Sequence, residues 1–226
     1  PSPIVNEIKK QLDDPDNHRY PTSAGERDTR IAIAEWYLNR FGVELNPDRE
    51  VVILLGSKEG LANVARAFVN PGDMVLSPDP AYPVYSQGAA LLCDAHPVKV
   101  PLYDNDDFLL NFDECPNDAR MLYLNYPNNP TGAVADGAYL MRALRWCNDT
   151  DTILCYDNAY SEMTYDDFVA PSILQYGRQA IEFGSLSKTF NMTGYRLGYA
   201  VGDAKLIAGL KKVKSQIDSG APKFIQ

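Results

Sequence analysis

The sequence predicts an α/β fold of three αβα layers, with a mostly parallel sheet held between helices. Three observations carry that expectation. Short apolar runs recur along the chain, segments of helical length separate them, and polar residues with glycine or proline follow the runs. Strands covered on both faces read as continuous apolar stretches, and their alternation with helices favours parallel pairing.

Taken in order, residues 24–41 carry Ile31, Ala34, Trp36, Leu38 and Phe41 at a loose helical period, and Gly42 is placed to end that helix. Residues 51–55 form an extended apolar stretch that runs into Gly56-Ser57-Lys58-Glu59-Gly60 and a helix through Val69, closed by Pro71-Gly72. Residues 74–77, 91–98, 121–124, 153–156, 180–183 and 198–201 read as strands. Residues 84–90, 136–148 and 204–217 read as the intervening helices. No internal repeat or linker interrupts the 226 residues, so a single large domain over 1–226 is expected.

Composition narrows the function. A net charge of -9 argues against a nucleic-acid partner, which selects a basic face. No run of eighteen apolar residues offers a membrane span, and the first residues lack the layout of a secretory leader, which leaves the cytoplasm as the expected site. The four cysteines, Cys93, Cys115, Cys147 and Cys155, have no Cys-x-x-Cys spacing, so no metal site is expected. The acidic run from Asp104 to Asp107 lacks the glycine and distal glutamate of a calcium loop and reads as solvated. His18 and His96 stand apart from any nucleophile.

The chemistry concentrates where apolar runs end, because ligands of open α/β sheets lie beyond the carboxyl ends of the strands. Between Ser185 and Tyr199, Lys188 stands among hydroxyls and glycines with Arg196 eight residues on. A desolvated lysine amine attacks carbonyls, and arginine grips phosphate oxygens with paired hydrogen bonds, which suits a phosphorylated aldehyde. A solvated lysine before a glycine-rich loop has the same composition. Gly56-Ser57-Lys58 can present backbone N–H groups to an anion at a helix start, though an ordinary helix start reads identically and the Walker spacing is absent. Asp157 at the end of a strand requires a cation or donors, which a protonated pyridine nitrogen would provide, with Tyr160 three residues on. An N-cap aspartate beside a core tyrosine is the plainer alternative. Asn129 sits in the rigid Asn-Pro-Thr-Gly turn, and Tyr82, in Asp-Pro-Ala-Tyr-Pro, is placed to lie on an aromatic ring.

Together these strings resemble the pyridoxal-phosphate aminotransferases of fold type I, the aspartate aminotransferase superfamily, over nearly the whole chain. Gly56-Ser57-Lys58-Glu59-Gly60, Tyr160-Ser161-Glu162-Met163, Asn191 to Arg196 and Ile217-Asp218-Ser219-Gly220 most resemble LL-diaminopimelate aminotransferases. The resemblance implies pyridoxal 5'-phosphate as cofactor, joined covalently to Lys188, with Asp157 at the ring nitrogen and Asn129 and Tyr160 at the phenolic oxygen. Tyr82 would cover the ring. Gly56, Ser57, Lys58, Ser185 and Arg196 would hold the phosphate, and Tyr20 would reach across from a second subunit of a homodimer. Amino acids and 2-oxo acids are the implied substrates.

Members of that family are longer, and the resemblance implies that a small C-terminal domain and an N-terminal arm lie outside this stretch. A lyase or synthase built on the same cofactor, or a noncatalytic cofactor-binding fragment, stays open, because the residues named address the cofactor and leave the substrate unspecified.

Overall fold

The computed structural model describes residues 1–226. One seven-stranded sheet organises the chain: β1 (Val51–Leu54), β2 (Met74–Asp79), β3 (His96–Pro101), β4 (Met121–Asn125), β5 (Ile153–Asp157), β6 (Ala180–Ser185) and β7 (Gly198–Gly202). Their spatial order is β1-β7-β6-β5-β4-β2-β3. Pairs β2/β3, β2/β4, β4/β5 and β5/β6 are parallel, whereas β7 runs antiparallel between β1 and β6. Two antiparallel steps leave β1 parallel to β6, so β1, β2, β4, β5 and β6 all end at one rim. The chain re-enters at that same rim to begin β7, with Gly198 level with Leu54 and Ser185.

Side chains alternate between two cores. Val51, Ile53, Leu122, Leu124, Leu154 and Tyr156 pack with α2 (Arg27–Phe41) and α4 (Gly137–Asp149). Val52, Leu54, Met121, Tyr123, Cys155, Ile181 and Phe183 face α3 (Ser57–Phe68) and α6 (Ala204–Lys214). Every residue of β1, β4, β6 and β7 is buried, which is why those runs lack polar alternation. Lys214 of α6, fully buried, pairs with Asp218 and lies 3.7 Å from Glu59, tying α6 to the first turn of α3.

Several boundaries depart from expectation. Residues 91–98 are not one strand: Leu91–Cys93 is a helical turn, Asp94 takes a left-handed φ of 54°, and β3 starts at His96. Leu91 and Leu92 are exposed, so apolar content alone misled there. The segment Val84–Ala90 is helical but wide, closing with an i to i+5 bond from Leu91 N–H to Ser86 O. The helix expected from residue 24 starts at Arg27, and the one expected to reach 217 ends at Lys214. A helix α1 (Ser2–Asp13) was not anticipated, although Ile4, Ile8 and Leu12 recur every four residues. The four-residue α5 (Leu186–Thr189) follows β6 directly.

Candidate active site

At the common rim of the strands, a cavity of about 280 Å³ is lined by Gly56, Ser57, Lys58, Tyr82, Asn129, Asp157, Tyr160, Ser185, Lys188 and Arg196. That volume lies near the lower bound of roughly 300–1,000 Å³ typical of small-molecule sites. Every residue singled out from sequence is therefore in one place except Tyr20, which is outside the cavity and 86% exposed. A larger groove of about 480 Å³ shares Ser185 with it and is lined by Ile33, Trp36, Phe190 and Tyr199; it has the greater volume, but Asp28 is the one charged side chain in its lining.

Asp157 closes β5 and is 4% exposed. Its Oδ2 accepts from the Tyr85 hydroxyl at 2.8 Å and its Oδ1 from Ala159 N–H at 3.3 Å. Burial raises its carboxyl from the ordinary 3.8 to about 6, outweighing both hydrogen bonds, which act to lower it. Between those values the folded chain binds more protons than the unfolded one. Folding stability accordingly falls as pH climbs from 3.8 to about 6 and levels off above. The shift corresponds to about 3 kcal/mol. Glu59 and Glu182 are also raised by burial and act in the same direction, so the difference between proteins isolates Asp157. In the cofactor-free full chain, Asp157→Asn is expected to gain stability relative to wild type between about pH 4 and about pH 7, read by urea unfolding. A constant difference across that range would show that Asp157 titrates as an ordinary carboxylate.

The phenol end of the site is built from two strand termini. Asn125, the last residue of β4, accepts from Asn129 N–H at 2.7 Å and donates to the Asp157 carbonyl at 2.7 Å and to Pro127 O at 3.0 Å. Asn129 is thus fixed relative to β5, and its Nδ2 donates to the Tyr160 hydroxyl at 3.3 Å. Tyr160 keeps its own proton to donate, since burial and the Asp157 charge raise its pKa. Two residues on, Glu162 forms a bidentate pair with Arg40 of α2, at 3.0 and 3.2 Å, which braces the turn.

The anion end is made of glycines, a helix start and a guanidinium. Gly56 caps α3 with φ 79° and contributes no side chain to the first-turn N–H groups, which are left free for a ligand. A Cβ on Gly56 would lie 2.5 Å from Arg196 Nη2, and one on Gly198 would lie 2.6 Å from Ser57 N, so both positions need glycine for this close approach. Arg196 is held at a left-handed φ of 56°, with Nη1 donating to Thr193 O at 2.8 Å. A bulky side chain in that region is an outlier, as often occurs at functional sites. Lys58 Nζ lies 5.5 Å from the Tyr82 ring centroid.

Lys188 sits on α5, whose first turn is capped by Ser185 Oγ accepting from Ser187 N–H at 3.2 Å. Its Nζ is 5.6 Å from the Tyr160 ring centroid. The desolvated amine expected from sequence is not seen in residues 1–226: Lys188 lines the cavity but is exposed. Sequence reasoning also passed over Tyr85, Asn125, Ser187 and Thr193; of these, only Asn125, a polar residue at the end of an apolar run, carried a local signal.

Residues 1–225 match the family described as aminotransferase class I and II. The chain belongs to that family. It is 49% identical to the LL-diaminopimelate aminotransferase of Aquifex aeolicus, over 97% of this chain and 58% of that protein. It is 46% identical to the LL-diaminopimelate aminotransferase of Moorella thermoacetica, over 100% of this chain and 60% of that protein. Among solved structures, a probable N-succinyldiaminopimelate aminotransferase from Thermus thermophilus superposes with a TM-score of 0.94 at 36% identity, covering 100% of this chain and 62% of that one. The chain thus spans about three fifths of the length of these relatives.

The family uses pyridoxal phosphate. The residues present fit that group. Asp157 is a buried carboxylate held by two neutral donors, with its carboxyl raised to about 6, a setting in which a protonated ring nitrogen is a natural partner. Ser57, Lys58 and Arg196 line the same cavity and offer donors suited to a phosphate, together with the Lys188 amine and the Asn129–Tyr160 pair.

Proposed function

We propose that residues 1–226 are the large, cofactor-binding domain of a pyridoxal-phosphate-dependent aminotransferase that moves an amino group between an amino acid and a 2-oxo acid. The observation that supports this reading best is the convergence of Lys188, Asp157, the Asn129–Tyr160 pair and Arg196 on one cavity at the rim of the strands. The identity to LL-diaminopimelate aminotransferases over nearly all of this chain favours LL-diaminopimelate with 2-oxoglutarate as the substrate pair.

When bound, the cofactor supplies an electron sink for the carbanion left by loss of the substrate's α-proton. In this reading Arg196 and the first-turn N–H groups of α3 hold the phosphate. Asp157 would present a negative charge to the ring nitrogen, and Tyr160, steadied by Asn129, would donate to the phenolic oxygen. Tyr82 would pack against the ring. Lys188 would be the point of attachment for the aldehyde, and its Nζ, once free, would be the base that takes the substrate's α-proton and passes it to the cofactor.

Tyr20 is exposed and does not line its own chain's cavity, which leaves it available to the site of a second copy and supports a homodimer. No helix is long and apolar enough to cross a membrane. All four cysteines are free thiols, which supports the reducing cytoplasm as its location.

The full chain supplied with pyridoxal phosphate is expected to develop near-visible absorbance that shifts on adding LL-diaminopimelate and returns on adding 2-oxoglutarate, with no effect of nucleotides. Release of ammonia or thiol without a matching 2-oxo acid would instead favour a lyase. Bound cofactor with no shift for LL-diaminopimelate, aspartate or glutamate would favour a noncatalytic role.

A further inference from the structure

Tyr85 lies in the wide helical segment Val84–Ala90, is fully buried, and is not among the residues lining the cavity. Its hydroxyl nevertheless donates to Asp157 Oδ2 at 2.8 Å across 72 residues of sequence. Its ring is stacked on Tyr123, with centroids 4.9 Å apart at 12°, and meets Tyr82 edge-on, with centroids 6.0 Å apart at 81°. Tyr123 is anchored in turn by its hydroxyl, which donates to Leu61 O of α3 at 2.7 Å. One side chain therefore touches both the acid and the aromatic residue of the site. Helical segments wound this widely recur next to functional sites.

We propose that Tyr85 is a positioning residue for the site: its hydroxyl holds Oδ2 of Asp157 so that Oδ1, held only by the 3.3 Å bond from Ala159, is the oxygen offered to the ligand, while its ring, in T-shaped contact, seats Tyr82. The proposal rests on the functional reading above for why the charge of Asp157 matters. The donation also favours the charged form of that carboxylate, opposing the burial that raises it. Other titratable groups around Asp157 do not replace it. Tyr123 packs on the far face of Tyr85, Tyr156 shares strand β5 and Tyr160 comes from the following turn; burial raises all three phenols, which keeps them neutral in the acid range. Lys58, Lys188 and Arg196 share the cavity but form no ion pair with Asp157, whose carboxylate is satisfied by Tyr85 and Ala159 alone.

Tyr85→Phe keeps the ring and removes only the donor. In the cofactor-free full chain labelled at the aspartate carboxyl carbon, with Asp157→Asn used to assign the resonance, this variant is expected to titrate at Asp157 about one pH unit higher than wild type. Its affinity for pyridoxal phosphate at neutral pH is expected to fall about tenfold, the scale of one charge-assisted hydrogen bond. Replacing Tyr85 with 3-fluorotyrosine, a stronger donor of nearly the same shape, is expected to move the Asp157 midpoint downward and to hold wild-type affinity. Should Tyr85→Phe fail to fold, the direction of the fluorotyrosine shift decides. Midpoints unchanged in the folded variants, or affinity within twofold of wild type for Tyr85→Phe, would overturn the proposal. A wild-type protein that takes up no pyridoxal phosphate would sink the functional reading, and the midpoints would then decide the hydrogen bond by themselves.

Discussion

Lys188→Ala is expected to lose amino transfer by at least about a hundredfold, because in the proposed function one group serves both as the point of attachment and as the general base. The full-chain variant should also retain no pyridoxal phosphate through borohydride treatment and denaturation, whereas wild type should keep it as a stable secondary amine. Folding should hardly notice. The lysine is exposed, and the only ring it approaches is Tyr160, at 5.6 Å. Truncation of such a surface side chain changes stability by about 0.5 kcal/mol or less. A variant that still traps cofactor after reduction would place the attachment on another amine, with Lys58 the next candidate in the cavity.

Glu182→Ala is expected to do the reverse, costing stability on a scale that threatens the fold. Glu182 lies in the middle of β6, fully buried, and no lysine or arginine pairs with it. Its Oε1 accepts from Tyr37 at 2.8 Å and Asn158 at 2.9 Å, and its Oε2 from Ser172 at 2.6 Å and Ile173 N–H at 3.0 Å. Alanine strands all four donors in a dry core. At about 1–3 kcal/mol for each unmet buried group, and with partial relaxation, the loss should be on the order of 4 kcal/mol. Glu182→Gln keeps one accepting oxygen and should lose about half as much. Urea unfolding of the full chain measures both, and an alanine variant within about 1 kcal/mol of wild type would contradict the account. The two variants separate cleanly: one removes chemistry from an intact scaffold, the other loosens the scaffold under intact chemistry. Asn158 directly follows Asp157, so Glu182 also steadies the turn that carries Tyr160.

Much of the site is legible in the sequence, and the reason is local. An apolar run announces a strand, and the polar residue that ends it marks the rim. Asp157 after Tyr156, Ser185 after Gly184 and Gly56 after Leu55 each carried that signal within a few residues. Residues 91–98 show where such reading fails, because exposed Leu91 and Leu92 have the composition of a strand but cover no core. Lys188 shows a second failure: residue type suggested burial, but on the four-residue helix Leu186–Thr189 only Ser187 is buried and Lys188 is exposed.

The sequence by itself determined the order of the seven strands and most of the glycines and reactive side chains that line the cavity, since each depends on neighbours along the chain. Only the tertiary structure decided that β7 enters antiparallel between β1 and β6, that Tyr85 reaches Asp157, and that Glu182 gathers donors from α2, β5's following turn and the loop before β6. Those contacts join residues far apart in sequence. They arise from strand pairing and from the need to satisfy every buried polar group, which no short stretch of chain encodes alone.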